Sequence, residues 1–267
     1  MDDQRITFCC NVCGFSNDLS TAAIHREMLN CVECGSCARF RGVVKAVQQF
    51  VFKDATRPLN IQPPIPNIRG IGMSDWRGYA DEFSRICDFQ NTYYHMEPFL
   101  DVTDAISSTN YTDLDFVVCS EVLEHVLGPV TNSLQNIFGM LKSGGILVLT
   151  VPSLEGYETI EHYPHLQSFE IVHTGGLYSI VNRRPDGAIE HYVNPAFHGG
   201  PGTVLEMRIF GEGDLLSMLR HVGFDEILDL PANDRECGYL WEGSVESPLW
   251  RGRRSKSHVL VCRKPSI

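Results

Sequence analysis

No apolar run in the chain approaches the ~20 residues that a membrane span requires, so no such span is expected. A basic, apolar leader is missing as well. Met1-Asp2-Asp3-Gln4-Arg5 is polar and acidic, so it does not read as a signal peptide, and the cytoplasm is the expected compartment. Basic side chains are short: 22 Lys and Arg stand against 33 Asp and Glu, for a formal charge of −11. A field of that sign repels phosphate backbones and makes nucleic acid an unlikely partner. The one basic cluster, Arg251-Gly252-Arg253-Arg254-Ser255-Lys256, reads as a solvated turn before the last strand. Internal repeats and low-complexity tracts are absent too. An apolar share of 43% supports a packed core within 267 residues, enough for one Rossmann-sized domain and a small appendage.

Cysteine, by contrast, is plentiful and unevenly placed. Six of ten lie in the first 37 residues: Cys9, Cys10, Cys13, Cys31, Cys34 and Cys37. Clustering of this kind without an export signal points to metal rather than disulfides. Cys10-Asn11-Val12-Cys13 and Cys31-Val32-Glu33-Cys34 are two C-x-x-C turns, each followed by glycine. Each turn sets two thiolates on one side of a tight loop, and two turns complete the tetrahedral sulfur shell of a structural zinc. Cys10, Cys13, Cys31 and Cys34 are the candidate ligands, with Cys9 a rival to Cys10 and Cys37 a rival to Cys34. Four thiolates leave no open position for water, so the expected role is structural.

Residues 1–40 therefore read as a zinc module and 41–66 as a helix and connector. The helix spans Arg39 to Lys53, and four prolines between Arg57 and Pro66 end it. From residue 67 strand and helix signals alternate. Candidate strands are Asn67 to Ile71, Thr92 to His95, Asp115 to Cys119, Ile146 to Val151, Thr203 to Phe210, Glu226 to Leu230 and Ser257 to Cys262. Candidate helices are Trp76 to Cys87, Val130 to Leu141 and Glu212 to His221. Such alternation implies a doubly wound α/β sheet with its ligand at the carboxyl ends of the strands. Residues 152–200 break the rhythm. They are expected to form a lid or substrate wall, with a hairpin around Arg183-Arg184-Pro185-Asp186-Gly187.

The text Leu114-Asp115-Phe116-Val117-Val118-Cys119-Ser120-Glu121-Val122-Leu123-Glu124-His125-Val126, followed by Leu141-Lys142-Ser143-Gly144-Gly145-Ile146-Leu147-Val148-Leu149-Thr150-Val151-Pro152, carries a resemblance. Over residues 67–264 the chain resembles class I S-adenosylmethionine-dependent methyltransferases with a Rossmann-like sheet. Within that family it looks like the branch with a cysteine-rich N-terminus, which includes enzymes of sugar and secondary-metabolite pathways. The resemblance implies S-adenosylmethionine as cofactor. It sets Gly70 and Gly72 against the methionine part, Glu97 at the ribose hydroxyls and Asp101 near the adenine. It also sets Cys119, Ser120 and Glu121 in the loop beside the sulfonium. The glycine loop, Arg69-Gly70-Ile71-Gly72-Met73-Ser74-Asp75, departs from the family pattern and makes Asp75 a rival to Glu97.

A hydroxyl or amine acceptor needs a base to take its proton. Candidates in the insertion are His162, His165 and His198, with His125 a further one and Asn194 and Glu206 candidate substrate contacts. The expected activity is methyl transfer to a small-molecule acceptor, a sugar or secondary metabolite. Two alternatives stand beside it. One is an RNA methyltransferase with the zinc module as a docking element, for which Arg26, Arg39, Arg41 and Lys45 are too few to make a basic stripe; the other is a non-catalytic nucleoside-binding scaffold. Nothing in the sequence bears on oligomeric state.

Overall fold

The computed structural model describes residues 4–21, 24–243, 250–256 and 258–266. The chain opens with an antiparallel hairpin of β1 (Gln4–Cys9) and β2 (Ser16–Thr21). After it, α1 (Ala38–Ala46) continues into a wider-wound π-helical segment, Val47–Phe52. Next come β3 (Arg69–Met73), α2 (Arg77–Ile86), β4 (Asp88–Thr92) and β5 (Leu114–Ser120). They are followed by α3 (Val130–Met140) and β6 (Leu141–Thr150). The insertion holds a three-stranded meander, β7 (Ser168–Thr174), β8 (Leu177–Arg183) and β9 (Ile189–Val193). β10 (Arg208–Gly211), α4 (Glu212–Val222), β11 (Glu226–Pro231) and β12 (His258–Arg263) complete the chain.

Six strands form the central sheet in the order β11-β12-β6-β5-β3-β4. β4, β3, β5 and β6 are parallel, and β12 and β11 are added antiparallel. Strand period dictates the two layers. Phe116 and Val118 of β5, Ile146 and Val148 of β6, and Val259 and Val261 of β12 pack with α1 and α2. Their alternating neighbours Val117, Cys119, Leu147, Leu149, Leu260 and Cys262 pack with α3 and α4. The sheet is thus doubly wound, as the alternation of elements predicts. Because β3 is flanked by β4 and β5, the chain changes direction there, which opens a crevice at the strand ends.

Several boundaries differ from the sequence reading, among them that of the first strand, Arg69–Met73 rather than Asn67 to Ile71. The second strand is Asp88–Thr92 rather than Thr92 to His95. It is an edge strand with Phe89 and Thr92 buried and Asp88 and Gln90 exposed, so its apolar signal is weak. The expected strand Thr203 to Phe210 is split: Val204–Leu205 pairs with Phe197–His198, whereas β10 pairs with Ser153–Leu154 and Ile160–Glu161. Helix α1 is not a spacer. Val43, Val44 and Val47 share one core with Phe83, Phe116 and Val148, which makes it part of the sheet's own covering layer. Of the last predicted strand, Ser257 lies outside the described residues.

Gly70 and Gly72 sit inside β3 and not in a loop at its end. A Cβ on Gly70 would overlap the ring of Phe116, and one on Gly72 would meet the Asp75 carboxylate and lie 2.8 Å from Phe89. Their smallness is required by the packing of Phe116, Asp75 and Phe89 against them. Phe116 cannot swing aside, because it stacks on Phe89 and meets Phe52 and Phe83 edge-on. Gly70→Ala is therefore expected to cost about 3 kcal/mol. That would lower the unfolding midpoint by roughly 6–12 °C in a thermal melt.

Candidate functional site

The two C-x-x-C turns face each other as their spacing predicts. Cys10, Cys13, Cys31 and Cys34 hold their sulfurs within 4.8 Å of one another, and none is in a disulfide. Cys10 and Cys34 are 3.7 Å apart and Cys13 and Cys31 are 3.6 Å apart. Four sulfurs each about 2.3 Å from a tetrahedral ion would be separated by about 3.8 Å, so the donor set fits zinc. Gly14 and Gly35, at φ 79° and 76°, turn each knuckle so that their amides donate to the carbonyls of Cys10 and Cys31. The rivals stand apart. Cys9 is exposed and donates to the Gly14 carbonyl, while Cys37 lies at the start of α1 beside Glu27.

A cavity of about 590 Å³ opens at the carboxyl ends of β3, β4 and β5. Met73 and Ser74 come from the end of β3, and Thr92, Tyr93 and Tyr94 from β4. The segment Leu100 to Thr103 and the loop carrying Val122, His125 and Leu127 supply the sides, and Phe169 of the insertion lines it together with Val204 and Met207, which follow the insertion. Asp101 is the one carboxylate among its described lining residues. Its Oδ1 accepts from the Thr103 amide and hydroxyl at 2.9 and 2.7 Å, which fixes the side chain in a turn at the wall. Glu97 is elsewhere: it is exposed and accepts from the Phe99 amide. Cys119 is fully buried among α3 and α4 side chains and does not reach the cavity.

Two residues with side chains sit in the left-handed region at adjacent strand ends, Ser74 at φ 56° and Glu121 at φ 57°. Such backbone is held only where its surroundings over-determine it. At Glu121 the surroundings come from the cysteine module. Arg26 makes a two-point ion pair with the Glu121 carboxylate, whose Oε1 also accepts from the Thr150 hydroxyl at 3.0 Å. Arg39 donates to Ser120 Oγ at 2.7 Å and is paired with Glu27. Ser120 and Glu121 thus face the module, not the cavity lining. Asp75, the rival carboxylate, is buried beneath this network. It accepts from the Tyr79 hydroxyl, and burial pushes its carboxyl up to about 7.

The loop after β5 supplies a second group. Glu124 is fully buried, and neither carboxylate oxygen has a hydrogen-bond partner. Burial, with the nearby Glu121 charge, raises its carboxyl far above the ordinary range. Around it stand His125, with Nε2 3.6 Å from Glu124 Oε1, and His198, with Nδ1 3.8 Å from the same oxygen. The two imidazoles meet edge to face at 5.2 Å. His162 lies beyond them, 3.7 Å from Glu206. Of the three histidines singled out in the insertion, His198 joins this group and His162 neighbours it. His165 is exposed in a separate groove with Pro164 and Arg184. Asn194 is exposed at a turn of the insertion.

Sequence reasoning missed Arg208 and the inward direction of the basic residues. Arg26, Arg39, Arg41 and Lys45 form no exposed stripe. Arg41 is fully buried, donating to the carbonyls of Ser36, Leu29 and Gly238, and Lys45 is paired with Asp234. A buried Arg seldom announces itself in sequence, because its acceptors are backbone carbonyls.

No family model and no curated protein matches the chain. Solved structures do. A S-adenosylmethionine-dependent methyltransferase from Clostridium acetobutylicum is 11% identical, with 83% of this chain and 92% of that chain covered, at a TM-score of 0.44. Another, from Mesorhizobium loti, is 11% identical over 86% of this chain and 99% of that chain, at 0.45. SAM-bound CalS10, an amino pentose methyltransferase from Micromonospora echinaspora, is 12% identical over 74% and 83%, at 0.36. The likeness is one of chain path at low identity.

Proposed function

We propose that the chain binds S-adenosylmethionine in the strand-end cavity and transfers its methyl group to a small-molecule acceptor enclosed by the insertion. The observation that carries this reading is the cavity itself. It lies at the switch point of a doubly wound sheet, where ligands of such folds bind, and its volume is within the ~300–1,000 Å³ range of small-molecule sites. Asp101 is its one lining carboxylate among described residues, suited to accept hydrogen bonds from a ribose or an adenine amino group. Leu100, Val102 and Val122 give an apolar bed for a flat base. The bound cofactor supplies a methyl group on a positively charged sulfur, transferred by in-line displacement.

The protein's own part is placement. Phe169, Val204 and Met207 line the acceptor side with apolar surface, and a fixed in-line geometry supplies much of the rate. His125 lines that side, with Glu124 and His198 next to it. A sugar or related metabolite hydroxyl is the acceptor class we favour, since polar groups converge there inside an otherwise apolar space.

Calorimetric titration with S-adenosylmethionine and its demethylated product tests the reading. Micromolar binding is expected. Asp101→Asn, which keeps an acceptor for the Thr103 turn, is expected to weaken it by roughly ten- to a hundredfold, the worth of one charge-assisted hydrogen bond. A folded sample that binds neither ligand overturns the proposal.

A further inference from the structure

We propose that Glu124, His125 and His198 bind a divalent transition-metal ion on the acceptor side of the cavity, separate from the cysteine cluster. One ligand atom from each residue lies within 4.8 Å of the others. The 3.6 and 3.8 Å separations from Glu124 Oε1 to the two imidazole nitrogens are too long for hydrogen bonds. Nitrogen and oxygen ligands each about 2.1 Å from one ion stand about 3.0–3.4 Å apart. Each imidazole nitrogen therefore needs to approach Glu124 Oε1 by only a few tenths of an ångström.

Three features distinguish the group from a chance meeting of polar side chains. Glu124 is wholly buried with both oxygens unpartnered. An isolated buried carboxylate is costly, and metal coordination is one of the few ways to retain it. His125 is already oriented as a ligand. Its Nδ1 meets the Leu205 carbonyl at 2.7 Å, so the proton sits there and the Nε2 lone pair faces Glu124. That backbone bond is the outer-shell contact that fixes tautomer and ring direction in metal-binding histidines. Glu206 adds negative charge to the same wall, acting on both Glu124 and His125.

Two imidazoles and one carboxylate leave coordination positions open, and His125 lines the cavity, so those positions face the acceptor space. An ion here would hold an acceptor oxygen and lower the pKa of its hydroxyl. This role rests on the methyl-transfer reading; the binding of the metal does not.

The test uses full-length protein with zinc in its cysteine cluster, titrated with Mn2+ and followed by electron paramagnetic resonance. Mn2+ prefers nitrogen and oxygen donors over thiolates, so zinc content should stay constant. One equivalent should bind, with affinity falling at least tenfold in Glu124→Gln. His198→Ala is expected to do the same, and it removes a partly exposed side chain of the short Phe197–His198 strand. Wild-type protein that binds no Mn2+ and no Co2+, or variants that bind as tightly as wild type, would overturn the proposal. Calorimetry with the demethylated cofactor on the same samples separates the two readings. Cofactor binding without metal binding sinks only the metal site, and the reverse result sinks only the methyl-transfer reading.

Discussion

Stripping the zinc for which the Cys10, Cys13, Cys31 and Cys34 donor set is suited is expected to abolish binding of the proposed cofactor as well as to lower stability. The cysteine knuckles hold residues 10–37 in a segment with little core of its own, and structural zinc in small modules contributes about 10–16 kcal/mol of folding free energy. That segment carries Arg26, and its end starts the helix that carries Arg39. Both arginines are nearly buried and reach the loop after β5, at Glu121 and Ser120. Without the module, Glu121 keeps a buried charge and loses its cation, a defect that costs about 3–5 kcal/mol. Its left-handed backbone would also lose what holds it. Treatment with a chelator, or Cys31→Ser, should reduce affinity for the demethylated cofactor more than a hundredfold in calorimetry. The central sheet should still be visible by circular dichroism. Arg26→Ala, with zinc retained, should give an intermediate loss. Native cofactor affinity in the zinc-free protein would show that the module is mechanically separate from the site.

How much of this was legible in the sequence depends on the range of each interaction. The buried strands were legible because Phe116-Val117-Val118-Cys119 and Ile146-Leu147-Val148-Leu149 are apolar on both faces, as a strand between two helical layers must be. The cysteine set was legible because each knuckle is local and only the pairing of knuckles is not. Asp101 lines the strand-end cavity. At Gly70 and Gly72 the packing demand was not legible, since a Gly-x-Gly reads alike whether it approaches a ligand or an aromatic ring. Here the deciding residue, Phe116, lies on another strand. The arginines could not be read at all. Arg26 meets Glu121 at a separation of 95 residues and Arg41 meets Gly238 at 197. In sequence they were indistinguishable from a basic surface stripe, and only folding turns them inward. Glu124 shares the difficulty, because its burial depends on the insertion that returns over it.

Arg208 is the residue through which that insertion holds the loop, and Arg208→Ala should be among the most damaging single changes in the protein. Its guanidinium donates to the carbonyls of Leu123 at 3.1 Å, Val126 at 2.7 Å and Gly128 at 3.2 Å, and pairs with Glu161 at 2.7 Å. One planar fork thus pins both flanks of Glu124 and His125 from β10, whose register is fixed by pairing with Ile160–Glu161. The adjacent Met207 amide donates to the Glu124 carbonyl at 2.7 Å and continues the same seam. Truncation would strand buried carbonyls at about 1–3 kcal/mol each. A loss of about 3–5 kcal/mol would lower the melting midpoint by roughly 10 °C in a domain of this size. Arg208→Lys should rescue only part of it, because a single ammonium cannot span carbonyls arranged for a planar, multi-donor group. The functional loss should exceed the loss of stability. At a temperature where the variant is fully folded, a loosened loop would scatter Glu124 and His125, and Mn2+ affinity should fall at least tenfold. Cofactor affinity, which the proposed site assigns to Asp101, should change less. A melting midpoint within about 2 °C of wild type would mean that the loop is held by something other than this arginine.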